Sequence, residues 1–558
     1  MTWTSKVVSA LALALLAGCG VARFDTVIGG GRVVDGTGNA WFYGDVGVRA
    51  GRIAAVSRLG GLALSRADRR IDATGMVVAP GFIDIQGQSQ EQLLTGDSRL
   101  VSKITQGVTT EILGEGWSMA PGNQKTLQAV SHDGDRRQAR RFIGPHGFAR
   151  WLAAMEQHRA SVNFGSFIGG ATVRMLAKGM AQGDATPAEL AVMKAAVREA
   201  MQDGAFGIAS ALIYPPGEYA SAEELIEISR AMAPSRGVYI THLRSEGDRL
   251  LEAIDEAIRI GREAGVPVEI FHLKAAGVRN WPKMADAIAR IESARASGLD
   301  ISANMYAYTA GESGLAACLP PWSASDGKLF DNVSREAARR RIREAITAPD
   351  RAWENLCELA TPAGVLITEL TSPWLHAWSG KRLDEIAAGR RKDWIDTAMD
   401  LIDSEHTRVE TIFFMASEEN LRLQLKQPWM KFGTDADGVD PASSKGLTHP
   451  RTYGNYTRVL GKYVREEKVL PLEEAVRKMT SAVANRLSLR DRGVVREGAW
   501  ADLVVFDPQT VADRATFEEP HQLSVGIRDV LVNGVAVVSD GKVTGAKPGK
   551  ALYGPGKK

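Results

Sequence analysis

Two short apolar segments, Val238–Thr241 and Val268–Phe271, each run directly into a histidine, His242 and His272. The stretch between them, Leu250–Ala264, carries apolar residues at helical spacing. This order predicts two neighbouring parallel strands joined by a crossover helix. Both imidazoles then lie at the carboxyl ends of their strands, where (β/α)8 barrels build their active sites. Either ring alone would more often be a strand-end residue bonded to the backbone, but the matched pair predicts a site for a divalent metal such as zinc.

The same alternation of apolar runs and helical stretches predicts an α/β fold, a (β/α)8 TIM-type barrel, for most of the chain. Nine segments are candidate strands for its eight places: Val77–Ile85, Val108–Leu113, Val162–Ile168, Ala205–Ala211, Val238–His242, Val268–His272, Ile301–Tyr308, Thr411–Met415 and Met430–Asp435. Ile301–Tyr308 and Thr411–Met415 flank a long segment, 309–402, that we interpret as an insertion. One of these two is therefore expected to lie outside the barrel, and the insertion is a candidate lid.

The two ends of the chain share another pattern, short apolar runs separated by turn residues. Gly29-Gly30-Gly31 near the amino end and Asn533-Gly534 near the carboxyl end are typical of hairpin turns. We predict that both ends fold together into one small β domain beside the barrel. The predicted boundaries are 19–76 and 486–558 for the two parts of the β domain and 77–485 for the barrel.

The first residues have the pattern of a targeting segment. Lys6 precedes an apolar run, Val7–Leu16, that is too short to span a bilayer. Leu16-Ala17-Gly18-Cys19 is similar to a bacterial lipobox, which implies removal of residues 1–18 and acylation of the Cys19 thiol. The lipid would anchor an otherwise soluble periplasmic protein to the membrane. The alternative is a plain secretory signal with an incidental cysteine.

Composition narrows the function classes only slightly. The 558 residues are 44% hydrophobic and 24% charged, which is ordinary for a globular protein with a large core and more than one domain. The net charge of +2 gives no electrostatic reason to expect a nucleic-acid partner. Cys318 and Cys357 could pair in an oxidising periplasm, although the sequence alone leaves this open.

Several motifs carry a resemblance to a known family. Ala79-Pro80-Gly81-Phe82-Ile83-Asp84 resembles the signature of the first barrel strand in the amidohydrolase superfamily. Further motifs resemble its D-aminoacylase branch and follow in the family's order: Gln106–Thr110, Tyr214–Gly217, Thr241–Arg244, His272–Lys274, Tyr306–Ala310, His449–Arg451 and Met479–Pro508. The resemblance implies zinc-dependent hydrolysis of N-acyl-D-amino acids in a (β/α)8 barrel with a small β domain.

The first strand departs from the family pattern, because Gln86-Gly87-Gln88 stands where the family has His-x-His. An amide binds zinc poorly compared with imidazole, so the metal position that those histidines complete is expected to be absent or weak. Glu115 stands roughly where the family has a cysteine ligand. We therefore predict one zinc ion held by Glu115, His242 and His272, with an open position that supports hydrolysis. The alternative for Glu115 is a strand-end carboxylate in an ion pair.

The resemblance also assigns the remaining roles. Asp435 matches the last-strand aspartate that takes a proton from the activated water and passes it to the leaving amine. Arg451 matches the arginine that binds the substrate's α-carboxylate through a bidentate fork. Tyr306 or Tyr308 would assist, and the alternative for each is a core tyrosine with a satisfied hydroxyl.

The predicted function is hydrolysis of a linear amide bond in N-acyl-D-amino acids or related D-residue amides. One alternative is a degenerate family member that binds small acylated ligands without turnover, which Gln86 and Gln88 favour. The other is a cyclic-amide hydrolase, which is weakened because no strand-end lysine is a clear candidate for a carbamylated metal bridge. Arg244 and Lys274 follow the two histidines and are expected to support them.

Overall fold

The computed structural model describes residues 23–129, 133–349 and 353–558, with the side chains of 133–135 excluded. Cys19 and the predicted signal segment lie outside the described residues. Within these ranges, no helix has the length and apolar character needed to cross a membrane.

Parallel strands follow one another in chain order around a ring. Their bounds are Phe82–Asp84, Val108–Leu113, Asn163–Ser166 with Ile168–Gly169, Gly207–Ala211, Val238–His242, Val268–Ile270, Ile301–Met305 and Met430–Phe432. Each pairs in parallel with the next. The last position is linked back to the first, because the Asp435 amide donates to Gln86 O at 2.8 Å. The helix Leu250–Ala264 connects Val238–His242 to Val268–Ile270 as the sequence predicts.

The ninth candidate strand lies outside this ring. Glu410–Phe414 pairs antiparallel with Ala310–Gly314 on one side and with Val365–Ile367 on the other. Since both of its edges are taken, it cannot pair with a ring strand, and the other candidate, Ile301–Met305, fills the place. Glu410–Phe414 thus forms a separate three-stranded sheet with two strands of the inserted segment.

The inserted segment also has a separate apolar core. Within it, Cys318 and Cys357 form a disulfide across 39 positions of sequence. The pairing that the sequence left open is thus present.

Helices cover the ring and fill the insertion. Those between or after ring strands are Gln90–Leu94, Val101–Ile104, Gln124–Ala129, Asp133–Arg140, Gly147–His158, Gly170–Lys178, Pro187–Asp203, Ala222–Met232, Leu250–Ala264, Lys283–Ala296, Glu418–Leu425, Arg451–Arg458, Leu472–Met479 and Ser481–Arg486, with a π-helix at Val459–Glu466. Those in the insertion are Leu329–Ser334, Glu336–Thr347, Leu356–Ala360, Leu383–Arg390 and Trp394–Glu405. Short 3₁₀ turns lie at Gly217–Tyr219, Ala233–Ser235, Val278–Asn280, Leu315–Cys318, Pro321–Gly327, Pro362–Gly364 and His376–Trp378.

A nine-stranded sheet combines both ends of the chain. Its strands are Arg23–Val33, Phe42–Arg49, Arg52–Arg58, Arg66–Asp72, Val77–Pro80, Leu503–Phe506, Ile527–Val532, Val535–Ser539 and Lys542–Val543. Val77–Pro80 joins the two ends, because it pairs in parallel with Arg23–Val33 and antiparallel with Leu503–Phe506. The predicted strand Val77–Ile85 is thereby divided at Gly81, whose place admits no side chain because a Cβ there would lie 2.2 Å from Thr109.

Of the two hairpin turns predicted for this sheet, one is present and the other is not. Asn533-Gly534 is the turn between Ile527–Val532 and Val535–Ser539, as predicted. The glycines Gly29-Gly30-Gly31 do not form a hairpin turn and lie inside the strand Arg23–Val33, at an irregularity in its pairing. A run of glycines accommodates a bulge as readily as a turn, which is why the pattern alone was misleading.

Candidate active site

A cleft of about 920 Å³ opens where the ring strands end. Residues at the ends of the strands or just after them line one side of it: Gln88, Glu115, Ala211, His242, His272, Tyr306 and Asp435. The inserted segment and the strand Glu410–Phe414 that follows it line the other side, through Glu312, Thr368, Glu369, Arg408 and Phe413. The insertion therefore forms a wall of the cleft.

His272 is shared by two groups of ligand atoms. Its Nε2 lies 3.1 Å from Glu115 Oε1 and 4.0 Å from Asp435 Oδ2. Its Nδ1 lies 3.1 Å from Glu246 Oε1. Among the described residues, atoms within 4.8 Å of one another form two triads, Glu115–His272–Asp435 and His242–Glu246–His272.

The predicted ligands Glu115, His242 and His272 are brought together in part. The rings of His242 and His272 are in contact edge to face, with centroids 4.6 Å apart. His242 Nδ1 lies 3.0 Å from Leu243 O, which leaves Nε2 available as a ligand. The carboxylate within ion-pair distance of His242 is that of Glu246, with Nε2 and Oε2 3.9 Å apart, and not that of Glu115.

Glu246 is the site residue that the sequence analysis missed. Lys274 Nζ lies 2.7 Å from Glu246 Oε1 and 2.8 Å from His272 Nδ1. Because this ammonium is already in contact with both Glu246 and Nδ1, the Glu115 side of the His272 ring is the better position for a cation. The only sequence signal was a carboxylate four residues after a strand-end histidine, which by itself is common in turns.

Of the two residues predicted to support the histidines, one lies at the site and the other does not. Lys274 is buried against His272 and Glu246, as the sequence led us to expect. Arg244 instead turns away from the site, with Nη2 2.9 Å from Glu256 Oε1. Its guanidinium also donates to the carbonyl oxygens of Glu218 and Ala220, so it ties loops together outside the cleft.

Two glycines present Glu115 to the cleft. Gly114 and Gly116 have φ angles of +108° and +64°, which side chains rarely adopt. A Cβ on Gly114 would lie 2.4 Å from Phe167 O, and one on Gly116 would lie 2.7 Å from the Ala211 side chain. The turn after Val108–Leu113 therefore depends on glycine at both positions.

Two residues of the Glu115–His272–Asp435 triad hold unusual backbone conformations. His272 has φ +29° and Asp435 has φ +50°. Such conformations cost on the order of 1–3 kcal/mol each and are concentrated at functional sites. Both amides are held by hydrogen bonds, from His272 N to Asn304 Oδ1 at 2.9 Å and from Asp435 N to Gln86 O at 2.8 Å.

Gln86 and Gln88 also lie at this site. Gln86 Nε2 donates to Glu115 Oε2 at 2.7 Å, and Gln88 Nε2 donates to the same oxygen at 2.8 Å. Gln88 Nε2 is also 3.1 Å from Asp435 Oδ1. The glycine between them is required, because a Cβ on Gly87 would lie 2.0 Å from Glu111 Oε1.

Arg451 and Tyr306 lie beside Asp435. Arg451 Nη1 is 2.7 Å from Asp435 Oδ2, and the guanidinium stacks on the Tyr306 ring at 4.6 Å from its centroid. Tyr308 does not reach the cleft, because its hydroxyl donates to Asp513 Oδ2 at 3.1 Å and its ring packs against Arg458. Of the two candidate tyrosines, the geometry brings only Tyr306 to the site.

Comparisons with known proteins identify the family. Residues 381–538 match the model of the amidohydrolase family. A D-aminoacylase from Alcaligenes xylosoxydans xylosoxydans is 36% identical over 530 residues, which cover 95% of this chain and 97% of the relative. The chain belongs to the D-aminoacylase family of amidohydrolases.

Two solved structures of D-aminoacylase-family proteins are similar over their whole length. A D-aminoacylase, described for the role of its binuclear metal centre in one-metal activation and second-metal attenuation, has a TM-score of 0.79 and 35% identity over 95% of this chain and 100% of its own. The N-acyl-D-glutamate deacylase of Bordetella bronchiseptica has a TM-score of 0.78 and 32% identity over the same shares, and was solved with zinc and a phosphonate inhibitor that mimics the tetrahedral intermediate. The fold is thus that of the amidohydrolases, which are TIM-barrel enzymes.

The electrostatics of this D-aminoacylase-family site favour binding of a cation. Burial disfavours the charged form of Glu115, but the nearby His272 outweighs it and holds the pKa of that carboxyl at about 2. Burial and Lys274 act against a charged His272, whereas Glu246 and Glu115 raise its pKa to about 9. Burial lowers the pKa of His242 to about 4, so this ring is neutral. In this structure the charge of His272 balances Glu115, and zinc would take over that role with imidazole and carboxylate ligands of the kind it prefers.

Proposed function

We propose that this chain hydrolyses the amide bond of N-acyl-D-amino acids, or of related amides of D residues, with a single zinc ion. The observation that carries the proposal is the convergence of Glu115, His272 and Asp435, with ligand atoms within 4.8 Å of one another at the base of the cleft. Relatives that align along nearly the whole chain are a D-aminoacylase and deacylases of N-acyl-D-glutamate and N-acyl-D-aspartate. The metal-dependent class follows from the same relatives.

The side chains divide the chemistry between them. Zinc, when bound, lowers the pKa of a water molecule and polarises the amide carbonyl. Glu115 and His272 would hold the ion, and His242 lies against His272 with its Nε2 available. Asp435 would accept a proton from the water and return it to the leaving amine. Burial raises the pKa of Asp435 against the opposing effect of Arg451, which helps the carboxyl to hold that proton.

Substrate recognition would use Arg451 and Tyr306. Arg451 is buried, and its Nε has no hydrogen-bond partner among the described residues. A buried, unpartnered guanidinium N–H costs free energy until it finds an acceptor, and the α-carboxylate of an N-acyl amino acid supplies one. The Tyr306 ring beneath the guanidinium fixes the plane of that fork.

A panel of N-acetyl-D- and N-acetyl-L-amino acids tests the proposal. We expect release of free amino acid from D substrates, zinc in the active protein, and a decrease in kcat of about 10²–10⁴-fold for Asp435→Asn. Asp437→Asn is the matched control, since Asp437 lines the same cleft without joining the ligand triad. Equal background release by the wild type and Asp435→Asn would support the non-catalytic binding alternative. Opening of hydantoins without cleavage of linear amides would support the cyclic-amide alternative.

We also infer that the ring of strands is a (β/α)8 TIM-type barrel over 77–485, with an insertion at about 309–402. The nine-stranded sheet would be a small β domain formed by 19–76 and 486–558. Expression of residues 77–485 alone tests this division. Because Val77–Pro80 pairs with strands from both chain ends, we expect the barrel fragment to be less stable than the whole chain.

We further propose that Cys19 carries a lipid anchor in the periplasm of a bacterium. The support is the lipobox pattern, together with the Cys318–Cys357 disulfide, a kind of bond that oxidising compartments preserve. Mass spectrometry of the membrane fraction should find the diacylated Cys19 as the first residue. Cys19→Ser should leave the protein with an uncleaved leader and without lipid, and a wild-type protein with unmodified Cys19 would contradict the anchor.

A further inference from the structure

Glu115 has an inner oxygen, Oε1, next to His272, and an outer oxygen, Oε2, that accepts hydrogen bonds from two side-chain amides of one loop. Gln86 and Gln88 both donate to Oε2, at 2.7 and 2.8 Å, whereas Oε1 faces His272 Nε2 at 3.1 Å. The two oxygens of Glu115 are thus assigned to different partners. One is satisfied by neutral N–H donors, and the other is next to an imidazole that can ligate a cation.

The orientation of both amides follows from the charges around them. The carboxylates of Glu115 and Asp435 accept hydrogen bonds and donate none, so each amide must present its NH₂ group and not its oxygen. Gln86 Oε1 is consequently left buried without a partner. Turning the Gln86 amide to offer that oxygen to a metal would place its NH₂ group in the pocket where Oε1 now lies and would remove a donor from Glu115.

We propose that Gln86 and Gln88 take the place of a second cation on the outer side of Glu115, and so restrict the site to one cation, on the His272 side. This rests on the proposed function, in which one zinc ion is bound by Glu115 and His272. The amides stabilise the negative charge of Oε2 by hydrogen bonds, as a cation would by ligation. A divalent ion at that place would face two NH₂ groups, which have no lone pair to offer.

Gln86 and Gln88 therefore act as positioning residues for Glu115. Removing a donor that hydrogen-bonds to a metal ligand typically changes metal affinity by about 10–100-fold. The solved relative is described in terms of second-metal attenuation. In this chain we expect no corresponding effect of excess zinc, because the place for a second ion is filled by hydrogen-bonded side chains.

Metal stoichiometry is the direct test, and it does not depend on activity. The zinc-loaded, desalted protein should contain one equivalent by elemental mass spectrometry, with or without prior excess zinc. Gln86→His/Gln88→His places two imidazoles beside Glu115 and should contain two equivalents. Loaded with Mn²⁺, the double variant should give the EPR signal of a spin-coupled pair, whereas the wild type should give an isolated-ion signal. Gln92→His is the matched control, since Gln92 lines the cleft but does not contact Glu115, and it should remain at one equivalent.

The outcomes separate this inference from the proposed function. A wild type that binds two ions, or a double-histidine variant that remains at one, would overturn the inference and leave the proposed function standing. A wild type that binds no zinc would overturn both. Should the double variant fail to fold, Gln88→Met provides the second measurement. It removes one donor to Glu115, so zinc affinity should fall by about 10–100-fold while stoichiometry stays at one, and unchanged affinity would contradict the positioning role.

Discussion

Arg451 and Asp435 form an ion pair, with Nη1 2.7 Å from Oδ2 and the guanidinium stacked on Tyr306. The proposed substrate-binding residue is therefore already paired electrostatically with the proposed proton carrier. When a substrate carboxylate binds Arg451, it competes with Asp435 for the same cation. Substrate binding would thus weaken the ion pair between Arg451 and Asp435 when the Asp435 carboxylate is needed as a base.

Arg451→Lys tests the role of the guanidinium fork. Lysine keeps a positive charge beside Asp435 but cannot bind a carboxylate through two parallel hydrogen bonds. Loss of one charged hydrogen bond is worth about 1.5–3 kcal/mol, so we expect KM to rise by roughly 10–150-fold with a smaller change in kcat. Arg408→Lys is the control, because Arg408 lines the same cleft but pairs with Glu410 at 2.7 Å. An unchanged KM for Arg451→Lys would remove Arg451 from substrate binding.

Glu246→Gln tests the carboxylate that supports His272. The variant leaves the buried Lys274 ammonium without its counter-ion, and it replaces the charged acceptor that can orient His272 Nδ1–H with a weaker, neutral amide oxygen. We expect zinc affinity, measured by competition with a chelator, to fall by about 10–100-fold. Glu256→Gln is the matched control, because Glu256 pairs with Arg244 outside the cleft. Equal zinc affinities for the two variants would contradict the supporting role.

The raised pKa of His272 predicts how stability and zinc binding depend on pH. In the zinc-free protein its pKa is about 9, against an ordinary value of 6.5. The protonated ring therefore contributes stability that is fully present below pH 6.5 and is lost as pH rises through about 9. Zinc displaces the same proton, so zinc affinity should rise by about tenfold per pH unit across this window.

Isothermal titration in buffers of different ionisation enthalpy measures that proton release. The control is His146→Gln, because His146 also has a raised pKa, from its bond to Asp203, but does not line the cleft. This control should keep the slope of the wild type. Zinc affinity that is flat across the window would mean that His272 is already neutral before the metal binds.

Gly116→Ala tests the turn that presents Glu115. An added Cβ would lie 2.7 Å from Ala211, in a backbone conformation with φ +64° that alanine disfavours. Gly265→Ala is the control, since Gly265 has the left-handed angles φ +69° and ψ +39° but nothing lies within 4 Å of an added Cβ. We expect the control to lose about 1–2 kcal/mol of unfolding free energy and no zinc affinity. Gly116→Ala should lose more stability and also bind zinc more weakly, because Glu115 must move, and zinc affinity equal to that of the control would contradict this.

The sequence by itself determined the parts of this protein that depend on local pattern. The helix Leu250–Ala264 and the strand Val238–His242 have the predicted bounds, because their apolar residues recur at the periods of a helix and a strand. Placement of His242 and His272 at neighbouring strand ends follows from the same periodicity, since a crossover helix makes the strands parallel. The family motifs added Asp435 and Arg451, which the structure places in contact.

Only the tertiary structure decided which side chains meet. Tyr306 and Tyr308 are two residues apart, and strand alternation would place both on one face, but the strand ends at Met305 and the chain then turns. Glu410–Phe414 reads like a ring strand until its two antiparallel neighbours are known. Separate loops are joined by the hydrogen bonds from the Gln86 and Gln88 side chains to Glu115, and by the contact of Glu246 with His272. Such long-range contacts depend on how the helices and strands pack together, so no periodic pattern in the sequence predicts them.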